Sequence, residues 1–225
     1  MPHFVQKAGP SSGASGSAIT QAVPASGIPV GDLVVIGINC GANSASAVSD
    51  SQGNSYSLIV KNSAQRDAEL YAAYITKPLT SSDTWSVTSA AGSFQISVFL
   101  QFTYILSATA DKTANTSNGV AGTALVTGTT AATTQPDDIA VCCFVPAGNI
   151  TVTLGAYTSD FDASDAGSNV HICVGHKELT DVGAQSESAT ASANTTYGAC
   201  IATFKGSPII TRTFKPIPFQ PPSRF

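Results

Sequence analysis

Three carboxylates within six residues are the first candidates for chemistry in this sequence. Asp160, Asp162 and Asp165 are followed closely by Asn169. Oxygen ligands at short spacing suit Ca²⁺, which takes about six to eight of them. The spacing does not match an EF-hand loop, and Asp, Ser, Gly and Asn also make ordinary solvated loops. The stretch therefore predicts either a weak calcium site or a solvated loop, and the sequence indicates no other cofactor.

Residues that could act as nucleophile, base or acid occur without a catalytic pattern. His171 and His176 are separated by an odd number of residues, so on a regular strand they face opposite sides of the sheet. The Gly-x-Ser-x-Gly spacing occurs only at residues 9–13, within the N-terminal stretch rich in Gly, Ser, Ala and Pro, so it does not mark a serine for activation. Glu69, Glu178 and Glu187 lie in or beside apolar strand patterns, with nothing that identifies a glycosidase pair. We therefore expect a protein that is not an enzyme.

Cysteine is the remaining reactive residue type. The chain has five cysteines, Cys40, Cys142, Cys143, Cys173 and Cys200, and four of the five lie within apolar runs. None has the paired spacing of a zinc site, and the adjacent Cys142 and Cys143 point to opposite faces of a strand. The pattern predicts buried, reduced thiols rather than a disulfide framework, as suits assembly in a reducing cytoplasm.

The overall composition excludes some classes of partner. Charged residues are 11% of the 225-residue chain, against about 25% in an ordinary domain. A net charge of −4 with ten basic residues argues against nucleic-acid binding. No apolar stretch reaches the roughly 18 residues of a membrane span, and no signal peptide is visible. The small polar residues suit either a neutral free surface or surfaces packed against sister copies.

Two apolar runs are the elements most able to position these side chains. Residues 31–38 and 137–145 are rich in β-branched residues, and each run shortly follows a proline. Similar elements follow each run in the same order. Corresponding positions in the two halves are 106 residues apart for Asp32 and Asp138, 100 for Leu70 and Val170, and 102 for Phe102 and Phe204. Separations that vary so little favour duplication. We predict an all-β fold, a single two-sheet β-sandwich built from two pseudo-repeated four-stranded halves.

The first half contains a distinctive turn, at residues 48–56. Asp50 and Asn54 can bond their own backbone and Gly53 supplies positive φ, so the stretch predicts a hairpin turn, with metal binding by Asp50 and Asn54 as the alternative. The Gly-Asp-Leu-Val-Val strand at 31–35, this Asp-Ser-Gln-Gly-Asn-Ser-Tyr turn and the strand at 70–75 resemble a jelly-roll-like β-sandwich module of phage virion and bacterial extracellular proteins. The resemblance covers residues 29–206. It implies a jelly-roll-like fold, but the family has no single activity.

The two ends of the chain differ from this middle domain. Residues 1–28 are rich in Gly, Ser, Ala and Pro, which predicts an extended N-terminal arm, with pairing as an edge strand as the alternative. Residues 207–225 contain five prolines, which predicts an extended C-terminal arm. The expected partner-binding residues are the apolar ones in both arms: Phe4, Val5, Ile209, Ile210, Phe214, Ile217, Phe219 and Phe225. The C-terminal arm should dock on its own domain or, as we favour, on a partner.

Together these features predict a non-enzymatic structural protein of a phage virion, assembled in the host cytoplasm. A capsid decoration or cement protein would bind the major capsid protein, other virion subunits and neighbouring copies through its arms, as a homo-oligomer. The alternative is a carbohydrate- or receptor-binding module, such as a tail-fibre or bacterial surface lectin-like domain. A sugar site would need exposed aromatic rings, and the chain has one Trp and six Tyr, most of them within strand patterns.

Overall fold

The computed structural model describes residues 2–13, 18–41, 45–62, 64, 66–89, 95–165, 167 and 169–207. Over these residues the chain is all-β, as predicted, with fourteen strands and no helix. The strands are β1 His3–Gly13, β2 Ala18–Ala22, β3 Leu33–Asn39, β4 Ala45–Asp50, β5 Ser57–Asn62, β6 Ala68–Tyr74, β7 Thr84–Ser89, β8 Gln95–Thr103, β9 Ile105–Val126, β10 Asp138–Pro146, β11 Val152–Leu154, β12 Thr158–Asp165, β13 Val170–Glu178 and β14 Ser188–Gly206. None of the described segments is a helix that could cross a membrane.

The strands form three sheets, and every strand pairing is antiparallel. Sheet I has the order β1-β8-β3-β6-β5, and sheet II has the order β2-β7-β4. Sheet III has the order β11-β14-β10-β13-β12, with the long strand β9 also paired to β14. The two apolar runs found in the sequence are β3 and β10. Each has neighbours on both sides and is buried along its whole length, as expected of a strand without polar alternation.

Three apolar clusters fill the spaces around these sheets. Alternate residues of β3, such as Val35, face sheet III and meet residues such as Val141 and Ile172. The other residues of β3, such as Ile36, face sheet II, where Trp85 stacks on Phe99 with ring centroids 4.5 Å apart. A third cluster lies on the far face of sheet III. The described strands are consistent with the expected β-sandwich, but they form three sheets rather than two, because central strands buried on both faces require a further layer on each side.

The N-terminal segment belongs to the folded domain rather than forming a separate arm. β1 pairs with β8 at the edge of sheet I, and β2 pairs with β7 in sheet II. The edge-strand alternative therefore describes residues 3–13 and 18–22, because these strands cover edges of β8 and β7 that would otherwise lack partners. Of the C-terminal arm, only Ser207 is described. Its expected anchors lie outside the described residues, and their role stays a prediction: Ile209, Ile210, Phe214, Ile217, Phe219 and Phe225.

Candidate functional site

The turn that carries the resemblance is held by the Asp50 carboxylate. Its Oδ1 accepts the N–H groups of Gln52 and Asn54, both at 3.0 Å. Its Oδ2 accepts the Asn54 side-chain amide at 2.9 Å and the Tyr56 hydroxyl at 3.1 Å. Burial and the neighbouring Asp50 raise the pKa of Tyr56 well above its usual value, so the phenol remains a donor. Both carboxylate oxygens of Asp50 are therefore occupied by bonds within the turn.

Asn54 connects the same turn to a second loop. Its Oδ1 accepts the N–H groups of Thr76 at 3.0 Å and Lys77 at 2.9 Å, and its Nδ2 donates to the Lys77 carbonyl at 3.0 Å. The strands on either side of the turn do not pair with each other, since β4 lies in sheet II and β5 in sheet I. The predicted hairpin is therefore wrong. The turn is a crossover between two sheets, and the bonds of Asn54 to the 76–77 loop fix its position.

Two of the three carboxylates predicted as weak calcium ligands, Asp160 and Asp162, pair with histidines across β12 and β13. His176 Nδ1 lies 2.7 Å from Asp160 Oδ2, and His171 Nε2 lies 2.6 Å from Asp162 Oδ1. As the odd spacing predicts, the two histidines lie on opposite faces. His176 stacks on Phe4 towards sheet I, whereas the carboxylate that holds His171 also accepts the Val152 N–H in the third cluster.

Asp160, Asp162 and Asp165 do not converge on one point. A register shift between Ser159 and Phe161 turns Asp160 towards sheet I, whereas Asp162 faces the other side of β12. Asp165 accepts the N–H of Gly167 at the end of the strand. In the described part of the chain, no three His, Cys, Asp or Glu residues are placed to hold a metal ion. The geometry of these three carboxylates therefore corresponds to strand pairing and loop closure.

Glu187 has a structural role that the sequence did not reveal. It is 1% exposed, and its Oε1 accepts the N–H groups of Gly155 at 2.6 Å, Ala156 at 2.9 Å and Tyr157 at 3.3 Å. These three donors belong to the turn between β11 and β12, about thirty residues earlier in the chain. No local sequence pattern predicts that Glu187 would bond to a turn about thirty residues away.

The cysteine thiols are free and buried in the structure, as predicted. Burial raises the pKa values of the thiols of Cys40, Cys142 and Cys173 well above the usual range. Cys143 lies directly opposite Cys200 between β10 and β14, and its pKa is also raised, by its contact with Cys200 and by burial. Neutral thiols inside the apolar clusters behave as small hydrophobic side chains.

Asp138 is an ionisable residue that the sequence analysis did not single out. The side chain is fully buried, and neither carboxylate oxygen has a partner of hydrogen-bonding geometry within the described residues. Burial, and then the nearby Asp111, raise the pKa of this carboxyl to about 6, while Gly206 and Gln135 lie close enough to offset part of the effect. In the first half, by contrast, the Asp32 carboxylate accepts the side-chain amide of Gln101.

A recess in the described surface lies between β5 and β9. Its volume is about 410 Å³, and its walls are Ser57, Leu58 and Ile59 on one side and Ala108, Thr109 and Ala110 on the other. β5 is the end strand of sheet I and β9 an outer strand of sheet III. The two strands meet where the Asn62 side-chain amide donates to Asn115 Oδ1 at 3.2 Å. We call this recess the β5–β9 groove; among the residues that the structure describes, none of those lining it is charged.

The first and last described residues lie together at one edge of the molecule. A Cβ added to Gly206 would lie 2.7 Å from the ring of Pro2. The N–H of Ser207 donates to the carbonyl of Tyr104 at 2.6 Å, immediately before β9 begins. Tyr104 is 59% exposed and Val5 is 46% exposed. The two expected arm contacts in β1 therefore differ, because Phe4 packs between His176 and Phe102 while Val5 points outwards.

Comparison with known proteins gives no relatives, since no protein-family model, no curated protein and no solved structure matches the chain. The resemblance to phage virion modules therefore depends on the sequence pattern of residues 29–206 alone.

Proposed function

We propose that this chain is a non-enzymatic structural protein of a phage virion, a capsid decoration or cement protein. The observation that carries the proposal is the position of the chain ends. Pro2 and Gly206 lie together, so the proline-rich segment 208–225, with its apolar residues, continues from one defined edge of the folded domain. A folded body with an adhesive segment at one edge is the arrangement that a protein binding across a shell requires.

The use of the reactive side chains supports a structural role. Asp50, Asp160, Asp162 and Glu187 each bond partners on their own domain. Each of these bonds joins a strand to a neighbouring strand or loop. In the described residues, the chemical groups that first suggested a site are thus used to fix neighbouring strands and turns.

We also propose that the fold consists of two duplicated jelly-roll-like halves. A jelly roll has about eight strands in two facing sheets. The order β1-β8-β3-β6-β5 facing β2-β7-β4 gives eight strands and fits this topology. In the second half, the long strands β9 and β14 would each supply two strands of the jelly roll. One sheet would then have the order β9-β14-β10-β13, and β11 would pair with the start of β14. Each half would then contain eight strand segments rather than four.

The strand registers support the duplication. Leu33 lies opposite Tyr74 and Phe102, and Ile139 lies opposite Glu178 and Phe204. The corresponding separations along the chain are 106, 104 and 102 residues. The first and last agree with the separations expected from the sequence. With the middle separation, 104 residues, Leu70 corresponds to Val174 in the second half rather than to Val170.

The proposed action is mechanical and depends on many weak contacts. A neutral surface of small side chains can pack against a shell without desolvating many charges. An apolar segment that becomes ordered on a neighbour loses chain entropy, but it adds contacts at high effective concentration once the domain is in place. Repeated over many copies, such contacts would strengthen the shell.

The proposal is tested with phage shells that lack the chain. We expect the purified full-length chain to co-sediment with such shells, and Ile210→Asp or Phe214→Asp to lower its affinity at least tenfold. Val182→Asp is the control, because Val182 is exposed in a loop of the folded domain. Specific binding to a glycan array that both tail variants retain, without shell binding, would instead favour the carbohydrate- or receptor-binding alternative.

A further inference from the structure

The β5–β9 groove lies between two strand edges. β5 pairs only with β6, and β9 pairs only with β14, over the residues that the structure describes. An outer strand presents backbone N–H and C=O groups that a further extended segment can pair with. Addition of a peptide strand to such an edge is a common mode of recognition, in which the backbone gives affinity and alternate side chains give specificity.

The lining of the groove indicates what kind of segment would fit. Leu58 is 42% exposed at the rim, and Ile59 and Ala110 are partly buried against the cluster between sheets I and III. Hydroxyl groups of Ser57 and Thr109 alternate with these apolar side chains. A segment of β-branched and small polar residues, without a charge directed into the groove, would match this surface.

The chain itself contains a segment of this composition. Residues 209–215 read Ile-Ile-Thr-Arg-Thr-Phe-Lys and have no proline, whereas Pro208 and Pro216 bound them on either side. β-branched residues favour extended pairing, and only residues other than proline can donate a backbone hydrogen bond to a strand edge. Within 208–225, this is the longest stretch able to pair as a strand.

The position of Ser207, the last described residue, favours a neighbouring copy as the source of the segment 209–215. Ser207 lies beside Tyr104, four residues before Ala108, which is about 13 Å along a strand. Pro208 restricts Ser207 to an extended conformation and disfavours a tight reversal into the groove of the same chain. We propose that residues 209–215 of one copy add as a strand to the β5–β9 groove of the next copy. This inference rests on the proposed function, since it identifies the contact between neighbouring copies.

Disulfide trapping between full-length chains tests the inference. One preparation carries Thr109→Cys and a second, isotopically labelled, carries Thr211→Cys; the two are mixed and mildly oxidised. We expect a mixed dimer linked between positions 109 and 211, at several times the yield obtained when Thr153→Cys replaces Thr109→Cys. Thr153 is exposed on β11, away from the groove, and the native cysteines are buried.

Variants of the groove rim provide a second measurement. We expect Leu58→Lys to lower the mixed-dimer yield at least fivefold, because it brings a charge to the rim, and Val182→Lys to leave the yield unchanged. Equal trapping at positions 109 and 153 would overturn the inference. So would an intramolecular link as the main product in a dilute chain carrying both substitutions. Shell binding that is lost on Phe214→Asp but unaffected by Leu58→Lys would leave the virion role standing without this contact.

Discussion

The Asp50 carboxylate and the Asn54 side-chain amide bond to each other at 2.9 Å, and together they join the turn after β4 to the loop after β6. Asp50 is 9% exposed and Asn54 is 5% exposed. The Asp-Ser-Gln-Gly-Asn-Ser-Tyr sequence therefore encodes a connection between sheets I and II. Its residue types are those of a metal site, but their polar atoms are directed at backbone and side-chain groups of the same chain.

We predict that Asn54→Ala lowers the free energy of unfolding by about 2–4 kcal/mol, because it leaves several buried backbone groups without partners. Urea denaturation monitored by tryptophan fluorescence measures the change. Asn149→Ala is the matched control and should change stability by less than about 0.5 kcal/mol, because the Asn149 side chain is exposed. Equal effects of the two substitutions would contradict the structural role of the turn.

We predict that Asp138→Asn stabilises the protein at neutral pH but not at pH 4. The folded protein keeps the Asp138 proton up to about pH 6, whereas the ordinary pKa is 3.8. The contribution of this carboxyl to stability is therefore fully present below about pH 4 and is lost as the pH rises through about 6. At pH 7.5 the amide should raise the unfolding free energy by up to about 2 kcal/mol. Denaturation curves at both pH values measure this difference.

Asp32→Asn is the control for Asp138→Asn. The Asp32 carboxylate accepts the side-chain amide of Gln101, and replacing this charged acceptor by the neutral amide oxygen of Asn would weaken the bond. We expect this variant to be less stable than the natural chain at pH 7.5. Stabilisation by both substitutions would show that the buried position alone, and not the missing partner of Asp138, explains the result.

We predict that Gly37→Ala destabilises the packing between sheets I and III. A Cβ at this position would lie 2.7 Å from Val174 Cγ2 and 3.3 Å from Val98 Cγ2. Overpacking of this kind costs about 1–3 kcal/mol, which thermal unfolding can measure. Gly122→Ala is the control, because a Cβ there meets no atom within 4 Å. If Gly37→Ala is as stable as Gly122→Ala, the two sheets do not pack face to face as described.

We predict that Phe4→Ala loosens β1 and that the adjacent Val5→Ala does not. The Phe4 ring stacks on the His176 ring, with centroids 4.6 Å apart, and lies edge-on to the Phe102 ring, with centroids 5.9 Å apart. Val5, by contrast, is 46% exposed. Removal of the Phe4 ring should cost about 2–4 kcal/mol and lower the hydrogen-exchange protection of residues 3–13. Equal protection in the two variants would mean that β1 behaves as the free arm expected from composition.

The sequence was sufficient to predict the parts of the fold that depend on local pattern. β3 and β10 were predicted because each run is apolar, rich in β-branched residues and shortly preceded by a proline. The opposite orientations of His171 and His176 follow from the two-residue period of a strand. Burial of the thiols follows from their apolar neighbours.

Features that depend on distant partners could not be predicted in this way. The bonds of Glu187 to residues 155–157, and the turn of Asp160 towards His176 by a register shift, are set by tertiary contacts. The pairing of β1 was expected only as the alternative to a free arm, because a segment rich in Gly, Ser and Ala has no strong strand pattern until β8 provides an edge. The third sheet was missed because periodicity gives the buried faces of a strand but not the number of layers.

The most direct test of the proposed function is cryo-electron microscopy of phage particles assembled with and without this chain. We predict density for the folded domain on the outer shell, in fixed ratio to the major capsid protein, with residues 208–225 continuing onto an adjacent subunit. Particles with identical shell density in the presence and absence of the chain would contradict the proposal.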